Sequence, residues 1–321
     1  MRSRPPLPAH LASRPFTVES FKSAGLDYNR LRRTDIEHIS RGLYRPAEWD
    51  FCLEEAARAL SEATPGAWIS HVTAARLQCS LLPAWLSDSR ELHLSKPTVL
   101  PGARRKGIHG HRLIVKPGEV EFVEGMWLST RARTWLDMAR LLPLEDLVAM
   151  ADQLVRRPRP ELEGREDAYS TVEELRDMIA RHPNLQGVVR ARQALDLVRV
   201  GSDSAPETFL RLAMLDAGLP EPELQLSLRP GDPRSPSADL AFRRRKIAVQ
   251  YDGGHHLLEA QRLSDRRRDK AFETAGWTVI IVGKADQKDG FDIAIKTIKR
   301  ALKNCVADAA VAAGFAAPNQ M

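Results

Sequence analysis

From residue 207 onward, the apolar positions follow two different spacings. Leu210, Ala213, Met214 and Ala217 recur at steps of three and four, so residues 207–217 read as a helix with one buried face. Glu207 lies three residues before Leu210 and seven before Met214, which puts a carboxylate on that same face. Residues 224–228, 238–242 and 246–253 read as strands. A helix over 259–275, a strand over 277–282 and a final helix over 291–303 complete the order α-β-β-β-α-β-α. Asp239 falls in the second strand. Gln250 and Asp252, two apart in the third, point to one face, while Ile247, Val249 and Tyr251 point to the other and suit packing under a helix.

The helix over 259–275 carries a polar stripe. Gln261, Asp265, Arg268 and Phe272 fall at i, i+4, i+7 and i+11. Phe272 should face the sheet, which turns Asp265 and Arg268 toward it as well, at the end that begins just after His256.

The N-terminal pattern is shorter and more basic. Residues 16–24 form one expected helix, with Phe16, Phe21 and Ala24 on one face and Gly25 ending it. Asp27 is an N-cap for a second helix through Thr34, carrying Tyr28, Arg30, Arg32 and Arg33. Residues 38–44 read as a hairpin turning at Arg41-Gly42. Together, residues 16–50 predict a winged helix-turn-helix whose second helix presents Arg30, Arg32 and Arg33 to a DNA major groove.

Residues 51–156 predict a mixed α/β domain. Its helices are expected over 53–61, 68–82, 130–141 and 144–156, the second beginning as a strand or cap, and its strands over 91–95, 110–115 and 120–123. It holds His71, His93, His109 and His111. His109 and His111 can share a strand face, but no carboxylate stands at a ligand spacing, so no metal site is expected there. The polar, proline-bearing stretch 156–167 is the expected domain boundary, and residues 157–201 are read as linker and helices.

Composition narrows the function class. The chain has 321 residues, 43% hydrophobic and 28% charged, enough for two or three globular domains. Its net charge of +6 favours a polyanionic partner. Between residues 240 and 270 stand nine Lys or Arg, among them Arg243, Arg244 and Arg268, against four acids. Such a basic surround suits a phosphodiester backbone. The three cysteines are far apart, which argues against a disulfide framework or a zinc cluster. No signal-peptide core or membrane-length apolar run is seen, so a cytoplasmic protein without a membrane partner is expected.

Asp239 on one strand, with Gln250 and Asp252 on the next, is an arrangement of hard oxygen donors suited to Mg²⁺ or Mn²⁺. Such an ion can activate water and stabilise charge on a phosphodiester.

Two resemblances sharpen the reading. Residues 202–305 resemble the endonuclease-like domain related to very-short-patch-repair endonucleases, within the PD-(D/E)XK nuclease superfamily. The matching residues are Ser204-Ala-Pro-Glu207, Arg211, Ala217-Gly-Leu-Pro220, Pro222, Gln225, Ala238-Asp239-Leu240, Ile247-Ala-Val-Gln-Tyr-Asp-Gly253, His256, Gln261, Asp265, Arg268 and Gly276-Trp277. The resemblance implies a metal-dependent nuclease with a restriction-endonuclease-like core. Asp239 would be the central ligand, Gln250 and Asp252 the acidic-motif positions, Glu207 the helix-borne acid and His256 a general acid/base or phosphate contact. Gln250 stands where the superfamily usually has Glu, and Asp252 where many members place Lys. Residues 16–155 resemble the AbiEi-type antitoxin regulators of type IV toxin–antitoxin systems. The carrying segments are Gly25–Arg33, Ile39–Arg45, Ile69–Ala75, His111-Arg112 and Ser129–Asp137. That resemblance implies a winged-helix DNA-binding head followed by an α/β domain.

The expectation is therefore a multidomain α/β protein that hydrolyses DNA phosphodiester bonds with Mg²⁺ or Mn²⁺, in defence or repair. The alternative is an AbiEi-like regulator or antitoxin with a silent nuclease fold. The partner classes are DNA, a cognate toxin and a second copy of the chain.

Overall fold

The chain divides into two units, residues 1–150 with 170–196, and residues 151–169 with 197–321. In the computed structural model, residues 6–232, 234–253 and 259–314 are described, and they form a mixed α/β protein with three sheets. The division falls inside helix Leu144–Val155 and not in the proline-bearing stretch after it. The reason is electrostatic. Arg156 and Arg165 pair with Glu163, and Arg156 and Arg159 pair with Asp203, which ties that stretch into the second unit. Helix Val172–Arg181 belongs to the first. No described helix is long and apolar enough to cross a membrane.

The N-terminal segment folds around Leu11, Phe16, Phe21, Leu31 and Ile36. Thr17 and Ser20 cap each other's backbone N–H groups at 3.1 and 3.0 Å, so the helix begins at Val18 and runs to Ser23. Phe16–Thr17 instead pairs as a strand with Leu43–Pro46, which pairs in turn with Ile36–Ser40. Gly25, at φ +73°, ends the helix as expected. Asp27 does act as a cap, accepting from the Asn29 N–H at 2.7 Å, but the segment it caps is a five-residue 3₁₀ turn, Tyr28–Arg32. This corrects the expected helix through Thr34. It also corrects Arg30, which is buried and forks onto Asp35 at 2.8 and 2.6 Å. Leu31 sits in the core beside it, and Arg32 and Arg33 alone of the three arginines face outward.

The same unit holds a five-stranded sheet ordered Ile108–Leu113, Leu92–Pro97, Trp68–Ile69, Met126–Ser129, Val120–Val123. Leu94, Ile69 and Leu128 pack with Ala57 and Leu60 of helix Leu53–Glu62. The strand Met126–Ser129 was not expected. It returns from Val123 through Glu124 and Gly125, both at positive φ, a two-residue hairpin turn.

In the second unit the sheet order is Thr278–Gly283, Ile247–Asp252, Ser237–Phe242, Glu223–Ser227. The first pair is parallel and the others antiparallel. Leu240, Phe242, Ile247 and Val249 pack with Leu210 and Met214 of helix Ala205–Asp216 and with Ile295 and Ile298 of helix Asp292–Gly314. Tyr251 joins this side, as its alternation requires. Ala238, Ala241 and Ala248 meet Phe272 of helix Glu259–Thr274 on the other. The order is the expected one with an added short helix, Lys284–Lys288.

Candidate functional site

The antiparallel register sets Leu240 opposite Val249, and therefore Asp239 beside Gln250. The two residues interlock. The Asp239 N–H donates to Gln250 Oε1 at 3.2 Å, and the Tyr251 N–H donates to Asp239 Oδ2 at 2.9 Å. Gln250 is fully buried and its Nε2 has no hydrogen-bond partner. On the other side of Asp239, Gln225 has a left-handed backbone, at φ +45°, and its Nε2 is also a buried donor without a partner. Non-glycine residues rarely hold this conformation, and where they do the strain tends to accompany a site.

Glu207 enters from the first turn of helix Ala205–Asp216. Ser204 caps that helix. Its Oγ donates to Glu207 Oε1 at 2.7 Å, and the Asp203 N–H donates to Oε2 at 3.0 Å. Ser204 Oγ also accepts from the Glu207 N–H at 3.4 Å, so Glu207 helps to fix the start of the helix, a structural role that accounts for its hydrogen bonds. Capping does not account for the charge. Burial, then the Asp239 carboxylate, pushes Glu207 up from 4.5 to about 7. Asp239 is raised too, chiefly by burial and further by Asp203, while the Tyr251 N–H, Arg268 and Arg159 act the other way. The pair therefore carries an excess of buried negative charge.

The remaining expected residues divide. Arg268 is close enough to Asp239 to favour its ionised form, and it also pairs with Asp269 at 3.2 Å and Asp265 at 3.6 Å. Of the polar stripe, Arg268 thus faces the acidic centre. Asp252 stands at the exposed end of its strand, two residues beyond Gln250, level with Gly283. Arg243 and Arg244 are exposed, but the hairpin puts them at the opposite end of the strand from Asp239, about 13 Å away at ~3.3 Å per residue. Arg243 is moreover paired with Glu223 at 2.7 Å. These two arginines do not flank the acidic centre. His256 lies outside the described residues, as does the Gln261 side chain.

Two contributors were not anticipated, Asp203 and Arg159. Asp203 immediately precedes the capping serine, a position that could have been noted. Arg159 comes from the stretch read as a linker and carries no local signal. Arg211, part of the nuclease-like resemblance but given no role by it, is fully buried and donates to Asp152 at 3.0 Å, and Asp152 also accepts from Thr208 at 2.9 Å. This knot holds helix Ala205–Asp216, and hence Glu207, in place.

Oxygen donors for a divalent cation at this centre are Asp239 and Glu207. With Asp252 they do not form a tight group of three. Among the described residues, sets of three ligand atoms within 4.8 Å of one another occur at His71, His93 and His111, and at Glu91, His93 and His109.

No protein-family profile matches the chain. Two curated relatives do, both uncharacterized proteins of Mycobacterium tuberculosis: Rv2248 of strain ATCC 25618 / H37Rv and MT2308 of strain CDC 1551 / Oshkosh. Each is 27% identical over 182 residues, covering 56% of this chain and 64% of the relative.

Proposed function

We propose that the protein binds DNA and hydrolyses its phosphodiester bonds with a divalent cation, Mg²⁺ or Mn²⁺, held by Asp239 and Glu207. The observation that carries this reading is the pair itself: two carboxylates from different elements, Glu207 buried and Asp239 half-buried, each raised in pKa. A cation would relieve that repulsion. Mg²⁺ commonly takes only one or two protein carboxylates and fills its shell with water and substrate phosphate, so the open grouping suits it. When bound, the ion would polarise a phosphodiester and activate water. Arg268 and Arg159, beside Asp239, would hold the DNA backbone. In this proposal the core is the PD-(D/E)XK nuclease fold and the N-terminal segment a winged-helix head gripping DNA through Arg32 and Arg33, acting in the cytoplasm.

The test is purified full-length protein with supercoiled plasmid and Mg²⁺ or Mn²⁺. Nicking or linearisation by the wild type, absent in Asp239→Ala, is expected. No cleavage of any DNA under either metal would overturn the enzyme reading.

One observation favours a second reading, a DNA-binding regulator with a silent nuclease fold. Gln250 has no charge, and its amide oxygen is engaged by the Asp239 N–H. That reading expects salt-sensitive DNA binding without cleavage, with a cognate toxin or a second copy of the chain as partner.

A further inference from the structure

The histidines of the first unit converge in a way their sequence positions did not suggest. His93 and His109 are register partners on adjacent parallel strands, and His111 follows on the same face. His71 arrives from a third strand, just after Trp68–Ile69, with its backbone in the left-handed region at φ +51°. That conformation is strained for a residue with a Cβ. It turns His71 onto His111, with ring centroids 3.7 Å apart. His93 Nδ1 and His111 Nε2 are 3.0 Å apart.

We propose that His71, His93 and His111 bind a transition-metal ion of the Zn²⁺ class, which nothing in the DNA-cleavage reading uses or requires. Their ligand nitrogens all lie within 4.8 Å of one another. Metal binding requires the His71 and His111 rings, now stacked 13° from parallel, to turn so that their nitrogens converge at the ~2.0–2.1 Å of a zinc–imidazole bond. The ligand type suits Zn²⁺, Co²⁺ or Ni²⁺ and not Mg²⁺. His71 is oriented from behind: its Nδ1 meets Ser70 Oγ at 3.0 Å, and Ser70 Oγ meets Ser95 Oγ at 2.6 Å. This leaves Nε2 for the metal, the usual arrangement of a ligating histidine held by an outer partner.

Access and charge are also provided for. His71 and His111 line a cleft of about 620 Å³, an entry path and room for a further ligand. Arg140 on the cleft wall disfavours a cation. Asp137, on the same wall, has a buried Oδ2 without a hydrogen-bond partner, while its Oδ1 is held by Arg133 at 2.9 Å. Glu91 at 3.2 Å from His109 supplies a negative charge at the outer end of the histidine row.

The experiment is Co²⁺ titration of tag-free full-length protein, read by visible ligand-field absorption, followed by Zn²⁺ displacement. One Co²⁺ per chain is expected, displaced by Zn²⁺ and indifferent to excess Mg²⁺. His93→Gln or His111→Gln should weaken binding more than about 100-fold, beyond the ~10–100-fold cost of losing an outer partner. Glu207→Gln should leave it unchanged, which separates this site from the acidic one. Zinc-edge X-ray absorption of the wild type should count three imidazoles even if a histidine variant does not fold. Absence of stoichiometric Co²⁺ and Zn²⁺ binding, an imidazole count below three, or full binding in the His93→Gln, His111→Gln double variant would overturn the proposal.

Discussion

Glu207 is at once a capping residue and half of a repelling pair, and the two roles separate cleanly. In glutamine, Oε1 can accept from the Asp203 N–H and Nε2 can donate to Ser204 Oγ, so Glu207→Gln keeps both contacts, one with its direction reversed, and removes the charge. The folded-state pKa of Glu207 is raised from 4.5 to about 7. A raised carboxyl contributes stability fully below about pH 4.5, and that contribution is lost as pH climbs toward 7. Glu207→Gln should therefore melt with the wild type near pH 4 and above it at pH 8, in thermal scans without divalent ions. Mg²⁺ should raise the melting temperature of the wild type at pH 8 and that of the variant less. Equal curves at both pH values would mean that Asp239 and Glu207 do not share a field. Gln250→Glu makes the complementary point. It keeps the acceptor for the Asp239 N–H and converts the unpartnered Nε2 into a second oxygen, adding a buried charge. It should destabilise the metal-free protein and lower the Mg²⁺ or Mn²⁺ concentration needed for stabilisation, and for cleavage if the wild type cuts. A metal midpoint unchanged in the same scans would sink the two-carboxylate site.

At the level of elements, the N-terminal turn sorts its arginines by function. Arg30 holds the turn to Asp35 and should act on stability, Arg30→Ala costing about 1.5–3 kcal/mol in denaturant unfolding. Arg32 and Arg33 are exposed, so Arg32→Ala with Arg33→Ala should leave stability within about 0.5 kcal/mol. If the head reads DNA, the same pair should flatten the salt dependence of binding by about 0.9 in log–log slope for each phosphate no longer neutralised. An unchanged slope in a fluorescence titration would remove these arginines from the interface. The five-stranded unit carries a larger dependence. Arg133 is fully buried between Glu119 at 2.7 Å and Asp137 at 2.9 Å, and His182 closes on Glu119 at 2.7 Å. Arg133→Ala strands the buried Asp137 carboxylate, takes one of several partners from Glu119, and should cost about 3–5 kcal/mol in the same assay.

For the molecule as a whole, DNA cleavage and DNA binding should come apart under mutation. Asp239→Ala removes one carboxylate, and the acceptor of the Tyr251 N–H, without touching the apolar clusters, so it should fold, bind DNA with wild-type salt dependence and leave plasmid intact. Loss of binding together with cleavage would mean that Asp239 is structural. The basic charge of the second unit is also distributed differently from its sequence density. Arg243 and Arg244 crowd the sequence near the acidic motif yet stand at the far end of the hairpin, whereas Arg159, eighty residues before Asp239, stands close to it.

Local periodicity was enough to read most of the secondary structure. Alternation over 247–252 and the three–four spacing over 205–216 are direct records of which side of an element meets the core, so strand phase, Glu207 and the Arg268 stripe were legible from the chain alone. Gly25 and Gly42 marked true turns because positive φ favours glycine. What the sequence left open were features made by pairing between distant segments. Arg30 read as exposed because its partner, Asp35, appears only when the turn folds back. The stretch 156–167 read as a linker because proline and charge look the same whether solvated or ion-paired to Asp203. The histidine cluster was invisible because His71, His93 and His111 meet only through strand register and a left-handed residue, neither of which has a spacing along the chain. Periodicity encodes the face a residue presents. Which residues share that face across the sheet is decided by tertiary register alone.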